Sequence, residues 1–279
     1  MSGTLYLVST PIGNLEDITY RAVRILGEVS VVACEDTRHT QKLLNHYRIR
    51  ARTVSYHEHN EQARAAELAA LLETGQSVAV VSDAGTPGVN DPGFRLVQAC
   101  LARGLRVVPV PGAAALVTAL VAAGLPTDEF YFGGFLPAQA TARRAALAAV
   151  REIPATLIFY ETPHRIAYAL TDAREMLGER RAVVARELTK LHEEFARGLL
   201  SELALLFVAP EKARGEMVLL IDRTPLATGT PETTVGQQLT ARVAVLQSEG
   251  LTARAALKRA ARELGLPRDE AARRLAGGL

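Results

Sequence analysis

The chain has few cysteines, little net charge and no long uncharged apolar run. Its only cysteines, Cys34 and Cys100, lie far apart in apolar stretches, which argues against a disulfide framework or metal cluster and fits a reducing compartment. No apolar stretch approaches the roughly 20 residues that span a bilayer, and no basic segment leads into one near the amino terminus. We therefore expect a soluble, cytoplasmic protein with no membrane segment and no metal.

The net charge does not point to a polyanionic partner either. The 32 basic and 30 acidic residues give +2 at pH 7, so any basic face has to be local. Neither Gly-x-Gly-x-x-Gly nor Gly-x-x-x-x-Gly-Lys-Ser/Thr is present. A dinucleotide or nucleoside-triphosphate ligand therefore lacks its main support.

The chain does have a regular alternation of strand and helix patterns. In the first half, short β-branched runs alternate with segments that carry Ala and Leu at helical spacing. This rhythm predicts an α/β domain with a largely parallel sheet and a binding crevice at the carboxyl ends of its strands. The predicted strands are residues 4–9, 29–33, 54–56, 77–82 and 106–110, and the predicted helices are 17–26, 37–47, 61–73 and 94–103.

Shifts in pattern divide the chain into three parts. We place a first boundary near Gly124-Leu125-Pro126-Thr127, and the Thr-, Pro- and Gly-rich residues 223–234 have linker composition. The predicted domains are two α/β domains at 1–122 and 123–225 and a small helical domain at 235–279. In the second domain the predicted strands are 130–135, 156–160, 182–186 and 217–221, and the helices are 140–150 and 164–176.

The third part is basic, with eight basic and four acidic residues between 235 and 279. Thr252 can cap a helix that runs to Leu264, Gly265 supplies a stop, and Pro267 begins a second helix. This helix-turn-helix pattern indicates contact with a polyanion. A solvated helical hairpin packed on the body or on a partner subunit fits equally well.

Three loops rich in Gly and Pro follow predicted strands, at residues 10–14, 82–88 and 110–114. Small residues let a ligand approach the backbone, and amides at helix starts can bind a carboxylate or phosphate. Because the carboxyl ends of parallel strands meet at one edge, we expect these loops to converge into one pocket.

Polar stretches also follow predicted strands, at residues 35–38, 57–61, 161–165 and 186–190. Such side chains can position a substrate or move a proton, although solvated loops look the same. His57 and His59 have no third ligand at metal-binding spacing. Glu187 and Lys190 also fit a simple surface ion pair.

Together these loops resemble one family, the ribosomal RNA small subunit methyltransferase I family of the tetrapyrrole methylase superfamily. The strings that carry the resemblance are Ser9-Thr10-Pro11-Ile12-Gly13-Asn14-Leu15-Glu16-Asp17, Glu35-Asp36-Thr37-Arg38, Ser82-Asp83-Ala84-Gly85-Thr86-Pro87-Gly88, Val110-Pro111-Gly112 and Arg186-Glu187-Leu188-Thr189-Lys190. They occur in order between about residues 5 and 221, and the basic tail is similar to the small helical domain of many members. Relatives acting on tetrapyrroles usually carry a Gly-x-Gly-x-Gly-Asp first loop, so this chain's first loop favours RNA as the acceptor.

The resemblance implies a class III methyltransferase fold, in which two α/β domains hold S-adenosylmethionine in the cleft between them. It also implies a homodimer that methylates the ribose 2'-hydroxyl of a decoding-region cytidine, cytidine 1402 of 16S ribosomal RNA, within the 30S subunit. Carried over by position, the cofactor-binding residues are Pro11, Ile12, Gly13, Asp83, Ala84, Gly85, Pro111, Gly112 and Ala113. Phe135 and Met217 are further cofactor candidates that core packing explains equally well.

The implied reaction needs alignment of acceptor oxygen, methyl carbon and sulfur more than activation of the donor, because a sulfonium is already a good leaving group. A carboxylate, or a lysine kept neutral by burial, can act as general base, and the catalytic candidates are Asp36, Glu187 and Lys190. Candidates for binding RNA phosphates are Arg38 and Arg165. Tyr56, His57, His59 and His164 can stack on bases, or simply pack.

Two other functions fit parts of the sequence. A tetrapyrrole methyltransferase of the precorrin type would share the cleft and need no basic tail. A DNA-binding regulator with a ligand-sensing body would use the helix-turn-helix pattern but leaves the polar loops of the body unexplained.

Overall fold

The computed structural model describes residues 2–225, 235–267 and 270–271. The chain forms two compact units, residues 1–226 and 227–279. The predicted linker beyond Pro225 lies outside the described residues. So does most of the helix predicted to begin at Pro267, with Arg268, Arg273 and Arg274. No helix within the described ranges is long and apolar enough to cross a membrane.

The first sheet has five parallel strands in the order β3-β2-β4-β1-β5. Every residue of the inner strands β2 and β4 is buried, as expected for parallel strands covered on both faces. One face packs against α1 and α2, and the other packs against α3 and α4. The elements are β1 (Thr4–Val8), α1 (Tyr20–Glu28), β2 (Val31–Cys34), α2 (Thr37–His46), β3 (Thr53–Ser55), α3 (Glu61–Glu73), β4 (Val78–Val81), α4 (Phe94–Ala102) and β5 (Arg106–Val110).

The second sheet is mixed, in the order β6-β7-β10-β8-β9. Strands β6 and β7 are parallel, whereas β10 is antiparallel to both of its neighbours. Helices α6, α7 and α8 cover one face and α5 covers the other. The elements are α5 (Ala115–Ala123), β6 (Phe130–Phe135), α6 (Ala140–Ala149), β7 (Thr156–Glu161), α7 (Ile166–Leu177), β8 (Arg180–Arg186), β9 (Glu194–Leu199), α8 (Leu200–Leu206) and β10 (Met217–Pro225).

Helix α5 follows the last strand of the first sheet but packs on the second. Its Leu116 and Leu120 lie in one buried cluster with Ile158 and Val183 of the second sheet and with Ile12 of the first loop. An apolar core thus joins the two halves of this unit. The predicted domain boundary between residues 122 and 123 stays a prediction.

The sequence predictions for the two sheets are largely confirmed, with one clear error at the first helix. That helix was predicted over residues 17–26 but begins at Tyr20, because the Thr19 hydroxyl caps it by accepting a hydrogen bond from the Ala22 amide at 3.1 Å. Residues Leu15–Asp17 form a separate 3₁₀ turn. Helices α5 and α8 and strand β9 were not predicted.

The second unit contains two described helices, α9 (Val235–Ser248) and α10 (Ala253–Glu263). Leu239, Leu246 and Ala260 bury the apolar face between them. The predicted helix of residues 252–264 is confirmed as α10, and Gly265 follows it in the left-handed conformation (φ +66°), which suits a helix end.

Candidate active site

The three small-residue loops meet at the carboxyl edge of the first sheet. Thr10 and Gly85 exchange backbone hydrogen bonds of 2.8 and 3.1 Å. The Thr86 hydroxyl is 2.9 Å from the Ser9 hydroxyl and donates to the Ala113 carbonyl at 3.0 Å. The ends of β1, β4 and β5 therefore carry one continuous surface rather than three separate loops.

These loops form one wall of a cavity of about 610 Å³, a size typical of small-molecule sites. The opposite wall comes from β7, from the start of β10 and from the loop after β8. The lining residues are Ile12, Asp83, Ala84, Gly85, Thr86, Val89, Asn90, Asp91, Ala114, Ala115, Phe135, Tyr160, Glu161, Thr162, Pro163, Glu187, Leu188, Lys190, Gly215, Glu216, Met217 and Val218.

Six of the eleven predicted cofactor residues line this cavity, and the other five do not. The lining includes Ile12, Asp83, Ala84, Gly85, Phe135 and Met217 but not Pro11, Gly13, Pro111, Gly112 and Ala113. Gly112 packs against the first loop, since a methyl group added there would lie 2.7 Å from Ser9 Cβ. The third loop instead reaches the cavity through Ala114 and Ala115.

The loop after β8 places an ion pair on the cavity wall. Lys190 Nζ donates to Glu187 Oε1 at 2.9 Å and to Glu216 Oε2 at 3.1 Å. Burial by itself would lower the pKa of Lys190, but the two carboxylates outweigh burial and raise that pKa. This arrangement therefore favours a charged Lys190 over the neutral lysine that was considered as a general base. The hydrogen bond from Lys190 lowers the pKa of Glu187.

Two glycines far apart in sequence make room for this ion pair. A methyl group at Gly215 (φ +78°) would lie 2.1 Å from Glu187 Oε1, and one at Gly13 would lie 2.6 Å from Lys190 Cγ. Glu187 and Thr189 themselves have positive φ values of 51° and 66°, which non-glycine residues adopt at a cost. The surrounding packing holds this loop in an unfavourable backbone conformation.

Asp91 is a cavity residue that the sequence predictions missed. Burial, reinforced by Glu35 and Asp83, raises the pKa of Asp91 to about 6. Burial and Asp83 likewise raise the pKa of Glu35. The only signal in the sequence is the turn composition of Asn90-Asp91-Pro92-Gly93, which begins two residues after Gly88, the end of the second loop.

Asp36 and Arg38, by contrast, do not line this cavity. The Asp36 carboxylate caps α2 by accepting from the Arg38 amide at 2.8 Å and also pairs with the Arg38 guanidinium, which lowers the pKa of Asp36. The Asp36 amide donates to Asp83 Oδ1 at 3.1 Å. Asp36 is therefore adjacent to the cavity through its backbone, and Arg38 is 89% exposed.

The predicted RNA-contacting residues do not form a single cluster. Tyr56 cannot stack on a base, because it is buried and its hydroxyl donates to Glu61 Oε1 at 2.9 Å. Arg165 pairs internally with Glu161 at 2.9 Å and donates to the Leu136 carbonyl, which favours a structural role over phosphate binding. His164 is exposed and directly follows the lining residue Pro163.

His57 and His59 lie together on the loop after β3, with ring centroids 5.9 Å apart. His59 is exposed, whereas His57 is half-buried, and its buried Nδ1 has no hydrogen-bond partner among the described residues. In the part of the chain that the structure describes, no group of three His, Cys, Asp or Glu side chains could hold a metal ion.

The cavity wall is strongly acidic for its size. Four lining carboxylates, those of Asp83, Asp91, Glu187 and Glu216, stand against one lining cation, Lys190, while the fifth, Glu161, is buried and paired with Arg165. Carboxylates in a partly buried site favour a ligand that carries positive charge. The cavity therefore suits a compact, cationic small molecule and disfavours phosphate groups.

Comparison with known proteins shows which family this chain belongs to. The sequence matches the Tetrapyrrole (Corrin/Porphyrin) Methylases over residues 4–204. Ribosomal RNA small subunit methyltransferase I of Micromonospora olivasterospora is 49% identical over 269 residues, which covers 96% of this chain and 85% of that protein. The chain belongs to the ribosomal RNA small subunit methyltransferase I family. Another member of this family, from Escherichia coli O157:H7, is 53% identical over 222 residues, 79% of this chain and 78% of its own length.

Solved structures confirm the fold. Uroporphyrin-III C-methyltransferase from Thermus thermophilus, complexed with S-adenosylhomocysteine, aligns with a TM-score of 0.56 and 21% identity over 79% of this chain and 97% of that chain. At this identity the likeness shows the fold alone. The predicted tetrapyrrole methylase fold, two α/β sheets with a cleft between them, is correct.

Proposed function

We propose that this protein transfers the methyl group of S-adenosylmethionine to the ribose 2'-hydroxyl of a cytidine in 16S ribosomal RNA, cytidine 1402 of the decoding region. The observation that carries the proposal is the acidic cavity between the two sheets, in a chain about half identical to proteins named for methylating small-subunit RNA. A ribosomal substrate also agrees with the expected cytoplasmic location.

The charge of the cavity supports this donor. S-adenosylmethionine carries a sulfonium and an ammonium group against one carboxylate, so its net charge is positive. Asp83 and Asp91 lie on one side of the cavity and Glu187 and Glu216 on the other, where they can stabilise these cations. Gly85, which lines the cavity beside Ile12, has a positive φ of 85° that favours glycine.

The acceptor side of the reaction depends on positioning and on a base. Of the three predicted catalytic residues, Glu187 is the carboxylate that lines the cavity, whereas Asp36 lies outside it. Lys190, held as a cation, fixes the Glu187 carboxylate and can stabilise the developing negative charge on the ribose oxygen. We assign general-base action to Glu187 and an orienting role to Lys190, with alignment supplying most of the rate.

The homodimer and the assembled 30S subunit belong to the same proposal. The first unit leaves apolar side chains in solvent, such as Val121 at 72% exposure and Phe94 at 64%, and a subunit interface that covers them would remove this apolar surface from water.

One experiment tests the reaction and the acceptor together. The purified protein is incubated with radiolabelled S-adenosylmethionine and with undermodified 30S subunits, naked 16S RNA or a precorrin, and labelled RNA is digested to nucleosides. We expect 2'-O-methylcytidine from the RNA, and Asp83→Ala should weaken donor binding by calorimetry. Label in the precorrin alone, or a methyl group on a base, would contradict the proposal.

A further inference from the structure

A basic segment lies outside the cavity. Between residues 37 and 56 the chain has five Lys or Arg residues and no Asp or Glu, whereas acidic residues outnumber basic ones in the rest of the chain. All five of these cations are exposed: Arg38, Lys42, Arg48, Arg50 and Arg52. The near-neutral total charge therefore conceals a local positive surface of the kind that polyanions select.

Four of these cations have no acidic partner. Arg38 pairs with Asp36 at 3.2 Å, but within the described ranges no carboxylate lies within 4.0 Å of Lys42, Arg48, Arg50 or Arg52. Arginines elsewhere are commonly paired, as Arg24 is with Glu28 and Arg144 with Asp172. A cluster of unpaired like charges lowers stability by mutual repulsion, and a bound anion removes this cost.

A polar groove runs beside these charges, between α2 and the edge strand β3. We call it the α2–β3 groove; it has a volume of about 460 Å³ and is lined by Thr37, Arg38, Gln41, Lys42, Asn45 and Thr53. The lining contains hydroxyl, amide and cationic groups and no apolar side chain. These groups match the phosphate oxygens and ribose hydroxyls of an RNA strand.

The α2–β3 groove begins next to the cavity. The amide of Asp36, the cap of α2, donates to Asp83, which lines the cavity. From there the ten residues of α2 extend for about 15 Å, a length that covers two to three nucleotides of a strand. The acidic cavity disfavours phosphates, and the groove favours them. The cavity therefore suits the cationic donor, and the groove suits the anionic RNA backbone.

We propose that the α2–β3 groove binds the sugar-phosphate backbone of the RNA strand next to the nucleotide that is methylated. This inference rests on the proposed function for the identity of the strand. It adds a positioning surface to a site whose predicted RNA-binding residues do not cluster. Its phosphate contacts are Lys42, which lines the groove, and the exposed Arg52, which directly precedes the lining residue Thr53.

The test compares two double variants that each remove two exposed, unpaired cations. Lys42→Ala/Arg52→Ala removes one cation that lines the groove and one that borders it at Thr53. The matched control Arg106→Ala/Arg181→Ala changes positions on β5 and β8. Binding of a fluorescent 16S RNA fragment is measured by anisotropy across a KCl series with S-adenosylhomocysteine present. Calorimetry with S-adenosylmethionine and thermal unfolding confirm that each variant is folded.

We expect the groove variant to bind RNA about tenfold more weakly at low salt, with a salt slope smaller by about 1.4. Its donor Kd and its kcat at saturating RNA should match the unchanged protein, and the control should bind RNA within about twofold. Unchanged RNA affinity and slope would overturn the proposal, as would an equal loss in the control. A loss that appears with 30S subunits but not with naked RNA would also overturn it, because it would indicate an acidic ribosomal protein.

The outcomes separate this proposal from the proposed function. If groove-dependent RNA binding is seen but no methyl group reaches RNA, the proposed reaction fails and the groove stands. If methyl transfer to RNA proceeds while the groove variant binds RNA like the unchanged protein, the groove alone fails.

Discussion

At the scale of single residues, the ion pair of Glu187 and Lys190 depends on the absence of a side chain at Gly215. We expect Gly215→Ala to displace the Glu187 carboxylate, because the new methyl group would lie 2.1 Å from Oε1. Methyl transfer should fall by about tenfold to a hundredfold, as when one positioned charged group is lost from a site. The measurement is kcat/KM together with the free energy of unfolding by urea.

A matched variant separates this collision from backbone strain. Gly104 also has a positive φ (+65°), but a methyl group there would meet nothing within 4 Å. Gly104→Ala should therefore cost about 1 kcal/mol of stability, as Gly215→Ala does through strain, while leaving activity unchanged. Equal activity in the two variants would show that Glu187 does not need its observed position.

Asp91 makes donor binding dependent on pH. Its pKa in the folded protein is about 6, and a cationic donor prefers the ionised carboxylate. Affinity for S-adenosylmethionine should therefore rise as pH increases through 6 and fall as Asp91 becomes protonated below it. Calorimetry between pH 5 and 8 measures this, and Asp91→Asn should flatten the profile and weaken binding, whereas exposed Asp17→Asn should do neither.

Asp91 favours donor binding but lowers the stability of the protein without donor. Because its folded pKa is raised, Asp91 destabilises the empty protein progressively as pH rises from about 4 to above 6. Asp91→Asn should raise the free energy of unfolding at pH 7 by about 1 to 2 kcal/mol, after allowance for partial solvent exposure. A stability gain at pH 4 as large as at pH 7 would contradict this assignment of the pKa.

At the scale of elements, a buried ion pair joins α6 to α7. Asp172 accepts from Arg143 at 2.6 Å and from Arg144 at 2.7 Å, and the Arg143 and Asp172 side chains are only 6% and 5% exposed. Asp172→Ala should cost about 3 to 5 kcal/mol, because it leaves the Arg143 guanidinium buried without its partner.

The control for this prediction is the exposed pair of Arg24 and Glu28 on α1. Glu28→Ala should change stability by less than about 1 kcal/mol. Urea unfolding of both variants measures the change in the free energy of unfolding. A small effect of Asp172→Ala would mean that water or a nearby carbonyl satisfies Arg143 instead.

Sequence patterns predict helices and strands well where one face of the element is apolar and the other is polar. Helix α3 was predicted at its observed bounds. Helix α5 has no polar face that would reveal a helical period, since it reads Ala-Leu-Val-Thr-Ala-Leu-Val-Ala-Ala, and such runs are ambiguous. Strand β9, Glu-Phe-Ala-Arg-Gly-Leu, is a half-buried edge strand whose short, Gly-containing pattern gives little strand signal.

The candidate site was only partly predictable for a related reason. The meeting of the three loops follows from a general property of parallel sheets. The fit of Gly13 to Lys190 and of Gly215 to Glu187 does not, because it depends on contacts between residues far apart in the chain. For Tyr56 the sequence left base stacking and packing equally open, because it gives no sign that Glu61 is the buried partner of the Tyr56 hydroxyl.

At the scale of the whole molecule, charge is segregated although the total is only +2. The acidic cavity and the basic α2–β3 groove should respond differently to ionic strength. Raising KCl from about 50 to 200 mM should increase the KM for RNA steeply. Protein binding releases cations that are condensed on the RNA phosphates, and this release becomes less favourable as the salt concentration rises. The KM for S-adenosylmethionine should change by less than about twofold, since charges inside a cleft are weakly screened.

A common salt dependence of the two KM values would contradict this division. It would mean that one shared surface binds both substrates. Initial rates measured with one substrate saturating and the other varied distinguish the two cases. Sodium glutamate in place of KCl serves as a control for specific effects of chloride.

The position of α5 limits how the molecule can admit its ligands. This helix leaves the first sheet through the third loop, and its Leu116 and Leu120 are buried against the second sheet beside Ile12. A wide hinge opening of the two halves would expose that cluster to water, at about 25 cal/mol for each Å² of apolar surface. Entry and exit should therefore proceed by small rearrangements of the rim, such as the loop after β8, while the two sheets move as one body.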